Sequence, residues 1–168
     1  MKEPVVLYAG HELVKNGLCS RTLRDLDNPR DWQGLTGSDA AILWCWADAR
    51  RDEIQELHTD VELGSVPSWV FSIDDPVVRR QACSAHPLRV DAIALLTGGW
   101  ILLEVKPNAG YQALGQVLTY QFYAGLCCEV LLGCGVGVVT NAVQPCIAPV
   151  YKHFGVEIFE VGEVVTID

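Results

Sequence analysis

Two apolar runs and one helical period dominate the middle of the chain, in the stretch RVDAIALLTGGWILLEVKPNAGYQALGQVLTYQFY from Arg89 to Tyr123. Arg89 to Leu96 is rich in β-formers, as is Trp100 to Lys106, and Thr97-Gly98-Gly99 between them is a turn signal. Two such runs around a Gly-Gly turn predict a β-hairpin. Pro107-Asn108 is expected to break the second strand, and a helix is predicted from about Gly110 to Leu126. On that helix Gln112, Gln116, Tyr120 and Tyr123 share one face, at spacings of four, four and three. Leu114, Val117 and Leu118 take the opposite face and suit a core, with Gln121 an intruder among them.

The flanks supply further elements. Pro4 to Ala9 reads as a short strand and His11 to Leu26 as a helix, ended by Asn28-Pro29. Residues 1–36 are expected to form an N-terminal extension packed on a main domain of residues 37–168. Ser38 or Asp39 caps a helix predicted to run to about His58, apolar at first (Ala41, Ile42, Leu43, Trp44, Trp46) and charged from Arg50 to Glu56. Asp60 to Gly64 and Pro67 to Ile73 are candidate strands, and Val77 to Cys83 a short helix. Asp74-Asp75-Pro76 is turn chemistry before it is a ligand pair. Glu129 to Thr140 reads as a strand buried on both faces, as in a mixed or parallel sheet. A short helix over Ile147 to Phe154 and a last strand over Val156 to Val161 follow, with Glu157 and Glu160 at exposed edge positions. This order predicts an α/β fold, a central mixed β-sheet flanked by helices.

Composition narrows the class. With half of 168 residues apolar, the chain can bury a real core and is not expected to be disordered. No run is long enough to span a bilayer and no secretory pattern opens the chain, so a soluble, cytoplasmic protein is expected. Seven cysteines cannot all pair, and no Cys-x-x-Cys occurs; reduced, mostly buried thiols are expected. The net charge of −9 argues against a broad nucleic-acid-coating surface. Arg50-Arg51, Arg79-Arg80, Arg89 and Lys106 nonetheless hold half of the twelve Lys and Arg residues, and all precede or line the hairpin. His11 and His86 read as structural or loop histidines.

The chemistry lies in three polar residues of the hairpin. Glu104 and Lys106 share a strand face while Leu103 and Val105 point away, and pairing around the turn brings Asp91 to the same region. Two carboxylates suit Mg²⁺, which prefers hard oxygen ligands, and a lysine beside them suits phosphate and an activated water. Asp91, then Glu104-Val105-Lys106, then Gln116-x-x-x-Tyr120 resembles the PD-(D/E)XK nuclease superfamily, in its Gln-x-x-x-Tyr-bearing branch, over about 35 residues. No Pro-Asp precedes the hairpin; Arg89-Val90 stand before Asp91 instead.

The resemblance implies a restriction-endonuclease-like core and Mg²⁺-dependent hydrolysis of phosphodiesters in nucleic acid, DNA above all, with Mn²⁺ as a substitute. It implies that Asp91, Glu104 and the carbonyl of Val105 hold the metal. Lys106 would orient water or stabilise charge, and Gln116 and Tyr120 would position the scissile phosphate. Arg89, Gln112 and Tyr123 at the rim are expected nucleic-acid contacts. The family's opening helix often carries an acid near the metal, for which Glu53 and Glu56 are candidates. A homodimer or a protein partner stays open. The competing reading is a non-catalytic member of the same fold, an assembly or protein-binding module; a third is an unrelated Mg²⁺-dependent phosphate-handling enzyme. No Gly-x-x-x-x-Gly-Lys loop occurs, which speaks against a nucleotide hydrolase.

Overall fold

A computed structural model describes residues 35, 37–64, 68–84 and 88–162. The expected N-terminal extension therefore lies, except for Leu35, outside the described residues. Among the described residues no helix is long and apolar enough to cross a membrane.

Helix α1 (Gly37–Ala49) leads by a turn into strand β1 (Ile54–Leu63). A 3-10 turn (Ser68–Ser72) and helix α2 (Pro76–Ser84) precede β2 (Leu88–Leu96) and β3 (Gly99–Ala109). Helix α3 (Tyr111–Cys127), β4 (Gly135–Val143), α4 (Ala148–His153) and β5 (Glu157–Glu160) follow. The five strands form one sheet in chain order. β1, β2 and β3 pair antiparallel, whereas β3, β4 and β5 run parallel. The expected α/β fold with a mixed sheet between helices is the one observed. β4 is buried along Val136–Thr140, as a central parallel strand should be.

Each sheet face has its own core. On one, Ile42, Leu43, Trp46 and Ala47 of α1 pack with Leu57, Ala92, Ala94, Leu103, Val105 and Val139. On the other, Ala113, Val117, Tyr120 and Ala124 of α3 pack with Val61, Leu63, Val90, Leu102, Val136 and Val138. Tyr151 of α4 is wholly buried and donates its hydroxyl to Gly110 O at 2.8 Å, tying α4 to the start of α3.

Four expected boundaries differ. The first helix ends at Ala49, and Arg50–His58 is a turn and the first half of β1. The segment Leu57, Thr59, Val61, Leu63 alternates with His58, Asp60 and Glu62, and this period of two outweighs the helix-forming charges before it. Of Pro67 to Ile73, expected as a strand, Ser68–Ser72 is the 3-10 turn. Glu129–Leu131 is a second 3-10 turn, so β4 starts only at Gly135. Pro107-Asn108 does not end β3. The ladder skips Pro107, with Lys106 and Asn108 pairing Thr140 and Ala142 around it, and β2 has already left the other edge. A missing N–H costs nothing where no acceptor waits for it.

β1 and β2 share an irregularity. The ladder pairs Thr59 with Ala92 and Val61 with Val90, passing over Asp60 and Asp91 without losing register. Asp60 has φ 54°, in the left-handed region. There the strands exchange faces: Leu57 and Ala92 serve the α1 core, but Val61 and Val90 serve the α3 core. Aspartate tolerates this backbone better than most residues, and a β-branched side chain does not. Asp60→Val is expected to destabilise the fold by about 1–2 kcal/mol. Asp60→Asn should stay within about 0.5 kcal/mol of the parent. Urea unfolding of both variants measures the difference.

Candidate active site

The β2–β3 ladder closes at the Thr97-Gly98 turn and stops at Ala92–Leu103, after which the strands part. Asp91 is the first β2 residue inside this fork, and Glu104 the first on β3. The Val105 N–H would be left without a strand partner on that side; Asp91 Oδ2 accepts it at 2.9 Å. Asp91 thus substitutes for the missing ladder bond while its carboxylate stays at the mouth.

Glu104 points to the α3 side with Leu102, and the alternation expected for Glu104 and Lys106 against Leu103 and Val105 is present. Its side chain is 0% exposed. Tyr120, one turn beyond Gln116 on α3, donates its hydroxyl to Glu104 Oε2 at 3.0 Å, and Gln116 Nε2 donates to that hydroxyl at 3.2 Å. Lys106 Nζ stands between the carboxylates, 2.6 Å from Glu104 Oε1 and 3.8 Å from Asp91 Oδ2. Despite this close ion pair, no donor among the described residues meets Oε1 with hydrogen-bond alignment.

The electrostatics follow. Burial first, and then the charge of Asp91, push the Glu104 carboxyl up to about 7; Lys106 and Tyr120 pull it down without cancelling this. Burial likewise raises Asp91, opposed by the Val105 N–H and by Lys106. Burial pulls the Lys106 ammonium down, but its ion pair with Glu104 and the surrounding carboxylates leave it raised, hence firmly charged. One buried and one half-buried carboxylate sharing one ammonium are short of positive charge.

Of the expected site residues, Asp91, Glu104, Lys106, Gln116 and Tyr120 come together as one connected cluster, with Val105 bound to it through its N–H. Gln112 and Tyr123 are exposed on α3 beside it. Arg89 is exposed too, but binds Asp60 and Glu62 at 3.0 and 2.9 Å rather than Asp91. Glu53 and Glu56 are not at the site. With α1 ending at Ala49, they fall at the hairpin-turn end of the sheet. There Glu53 O accepts the Thr97 N–H, the Glu53 side chain pairs with Arg50, and Glu56 meets buried His58 at 3.0 Å. The α1 acid that does act on the site is Asp39, whose charge raises both Asp91 and Lys106. An acid in the first turn of a helix laid across β3 was the available signal; its suitability as a cap concealed it.

Among the described cysteines, Cys128 and Cys134 are buried and unpaired. No group of three His, Cys, Asp or Glu residues suited to a metal occurs among the described residues. The fork instead offers two carboxylates and, on the intervening Val105, a backbone carbonyl. Hard oxygen donors with a deficit of positive charge and a buried oxygen lacking an aligned donor fit a divalent cation such as Mg²⁺.

Tyr120→Phe isolates one contribution. It leaves Glu104 Oε2 buried without its donor, which is expected to cost about 1–3 kcal/mol of stability. Glu104 should then titrate higher still. Urea denaturation at pH 8, compared with Tyr151→Phe as the loss of a hydroxyl that donates to a backbone carbonyl instead, checks this.

No family model matches the sequence, and no curated protein matches it. Among solved structures, a repair endonuclease from Pyrococcus abyssi is similar at 14% identity and a TM-score of 0.46. The match covers 76% of this chain and 47% of that one, so the chain spans about half the length of that structure.

Proposed function

We propose that this protein is a divalent-metal-dependent nuclease of the PD-(D/E)XK type, hydrolysing phosphodiester bonds of nucleic acid, with DNA the first substrate to test. The observation that carries the reading is the fork itself. Asp91 and Glu104 converge from two parting strands on one ammonium, and α3 supplies Tyr120 and Gln116 behind them. A wholly buried carboxylate with a second acid beside it is costly to maintain as mere structure.

In this reading Asp91, Glu104 and the Val105 carbonyl hold Mg²⁺ or Mn²⁺. When bound, the cation supplies Lewis acidity that acidifies water and polarises the phosphodiester. The chain's own residues do the rest. Tyr120 and Gln116 hold the Glu104 carboxylate in one orientation. Lys106, the partly exposed member of the cluster, meets the incoming phosphate and stabilises the negative charge that builds on its oxygens. Gln112 and Tyr123 line the approach along α3, where a tyrosine face can stack on a base. Arg89 lies further along β2, available to the backbone of a longer strand once its carboxylate partners release it.

The test is cleavage of labelled single- and double-stranded DNA, then RNA, with Mg²⁺ or Mn²⁺ and with EDTA. Metal-dependent products are expected. Uncut substrates throughout would instead favour the non-catalytic reading, in which the same fold serves as a binding module.

A further inference from the structure

We infer that the segment between β1 and β2 is a base-stacking platform, and that the substrate it delivers to the fork is single-stranded nucleic acid. This deepens the nuclease reading and rests on it. β1 and β2 pair as far as Leu63–Leu88. A turn of about two to five residues would join two such strands. The chain instead places residues 64–87 there. A connection of that length inside a compact domain usually serves function rather than the fold. The fork opens away from the Thr97-Gly98 turn, so its mouth faces the Leu88 end of β2. Asp91 stands three residues from Leu88, which is about 10 Å along a strand. The segment thus leaves and re-enters the sheet on the open side of the site.

Its described part is built to display aromatic faces. Val70 is wholly buried and anchors the 3-10 turn, so its neighbours Trp69 and Phe71 are turned outward, 58% and 61% exposed. Arg79 locks α2 to the turn, donating Nε to Ile73 O at 2.7 Å and Nη2 to Asp74 O at 3.4 Å. Asp75 Oδ1 accepts the Val77 and Val78 N–H groups at 2.7 and 3.1 Å and caps α2. Two large aromatics held in water by an anchored turn forgo burial that folding would otherwise reward.

Charge selects the occupant. Among the described residues, Arg50, Arg51, Arg89 and Lys106 each pair with a carboxylate. Arg79 and Arg80 do not. Arg79 binds the two carbonyls, and Arg80 stands exposed one turn beyond exposed Val77 on the same face of α2. Residues 68–84 carry two arginines against two aspartates, one of them turned onto the start of α2, in a chain of net charge −9. Exposed aromatics beside arginines without carboxylate partners suit a nucleic-acid strand, whose bases stack on the rings and whose phosphates meet the guanidinium. A duplex keeps its base faces to itself, so such a platform selects single strands or unpaired ends.

Fluorescence anisotropy of a labelled oligo(dT) of about 15 nucleotides, with the full chain in EDTA, is the test, because it reads binding without cutting. The parent is expected to bind this strand at least about tenfold more tightly than a duplex of the same length. Trp69→Ala and Phe71→Ala should each weaken single-strand binding by at least about fivefold. Arg80→Ala should make it less sensitive to salt. Phe154→Ala, which removes an exposed aromatic at the opposite end of the sheet, should leave it unchanged. Unaltered affinity in both Trp69→Ala and Phe71→Ala overturns the proposal. So does a parent that binds neither form or prefers the duplex. Binding to phosphatidylserine vesicles instead, lost in the same two variants, also overturns it and assigns the platform to an anionic membrane. The two readings fail separately: strand binding through Trp69 and Phe71 without metal-dependent cutting sinks catalysis alone, and metal-dependent cutting with binding unchanged in both variants sinks the platform alone.

Discussion

Lys106→Ala and Glu104→Gln are each expected to lower metal-dependent cleavage by at least about 10²- to 10³-fold, with the fold retained. Lys106 is the charged group that meets both carboxylates and still reaches the surface. Truncating it removes the donor for developing phosphate charge. The fold survives because Glu104, already pushed up to about 7, can take a proton when its partner is lost. Glu104→Gln is isosteric and keeps an acceptor for Tyr120, but cannot supply the anionic oxygen a cation needs. Initial rates on the best DNA substrate, beside circular dichroism of each variant, measure the effect. If both variants cut as fast as the parent, the nuclease reading fails at these residues, whatever else the preparation contains.

The metal-free protein is expected to lose stability as the pH rises from about 4.5 to about 7, and a divalent cation to restore it. The sign follows from Glu104. Its folded pKa lies above the unfolded value of 4.5, so across this window the native state holds a proton that the unfolded chain has released. Stability from this group is fully present below 4.5 and falls as pH climbs through 7. The span corresponds to at most on the order of 3 kcal/mol. Asp91, also raised, acts in the same direction. Lys106 stays protonated over this range and does not move the window. Melting temperatures in EDTA from pH 5 to 8 should decline, and the decline should flatten in Glu104→Gln. Mg²⁺ or Mn²⁺ should raise the melting temperature at pH 8 and do little at pH 5. A parent whose metal-free melting temperature rises over that range would contradict the assignment of a proton to Glu104.

The hairpin, α3, α4 and β5 were legible because each is a local pattern: two β-rich runs around Thr97-Gly98, a period of 3.6 after Gly110, and alternation or caps near the end. The cluster was legible for the same reason, since hairpin pairing and one helix determine which of its residues meet. The α1–β1 region was harder. Arg50 to Glu56 is good helix composition, and only the alternation beginning at Leu57 marks a strand. Misplacing that boundary moved Glu53 and Glu56 toward a site that Asp39 in fact influences. The exchange of faces at Asp60 and Asp91 has no signature in a period-of-two reading, because the period continues while the strand turns over. Pro107 shows a rule meeting its exception, a proline inside a strand where the neighbouring ladder had already ended.

The fork also separates the site between two structural bodies. Asp91 belongs to the antiparallel part of the sheet, and Glu104 and Lys106 to the parallel part; five residue pairs, Ala92–Leu103 to Leu96–Gly99, and the two cores that span both parts hold them together. Across the opening, the Val105 N–H reaching Asp91 is, among the described residues, the backbone donor committed to a side chain of the other strand. That amide proton is therefore a built-in gauge. Its solvent-exchange lifetime reads how often the bond between Val105 and Asp91 opens. A cation or phosphate bridging both halves would lengthen that lifetime before any bond in the substrate was cut, making this single resonance a record of occupancy separate from turnover.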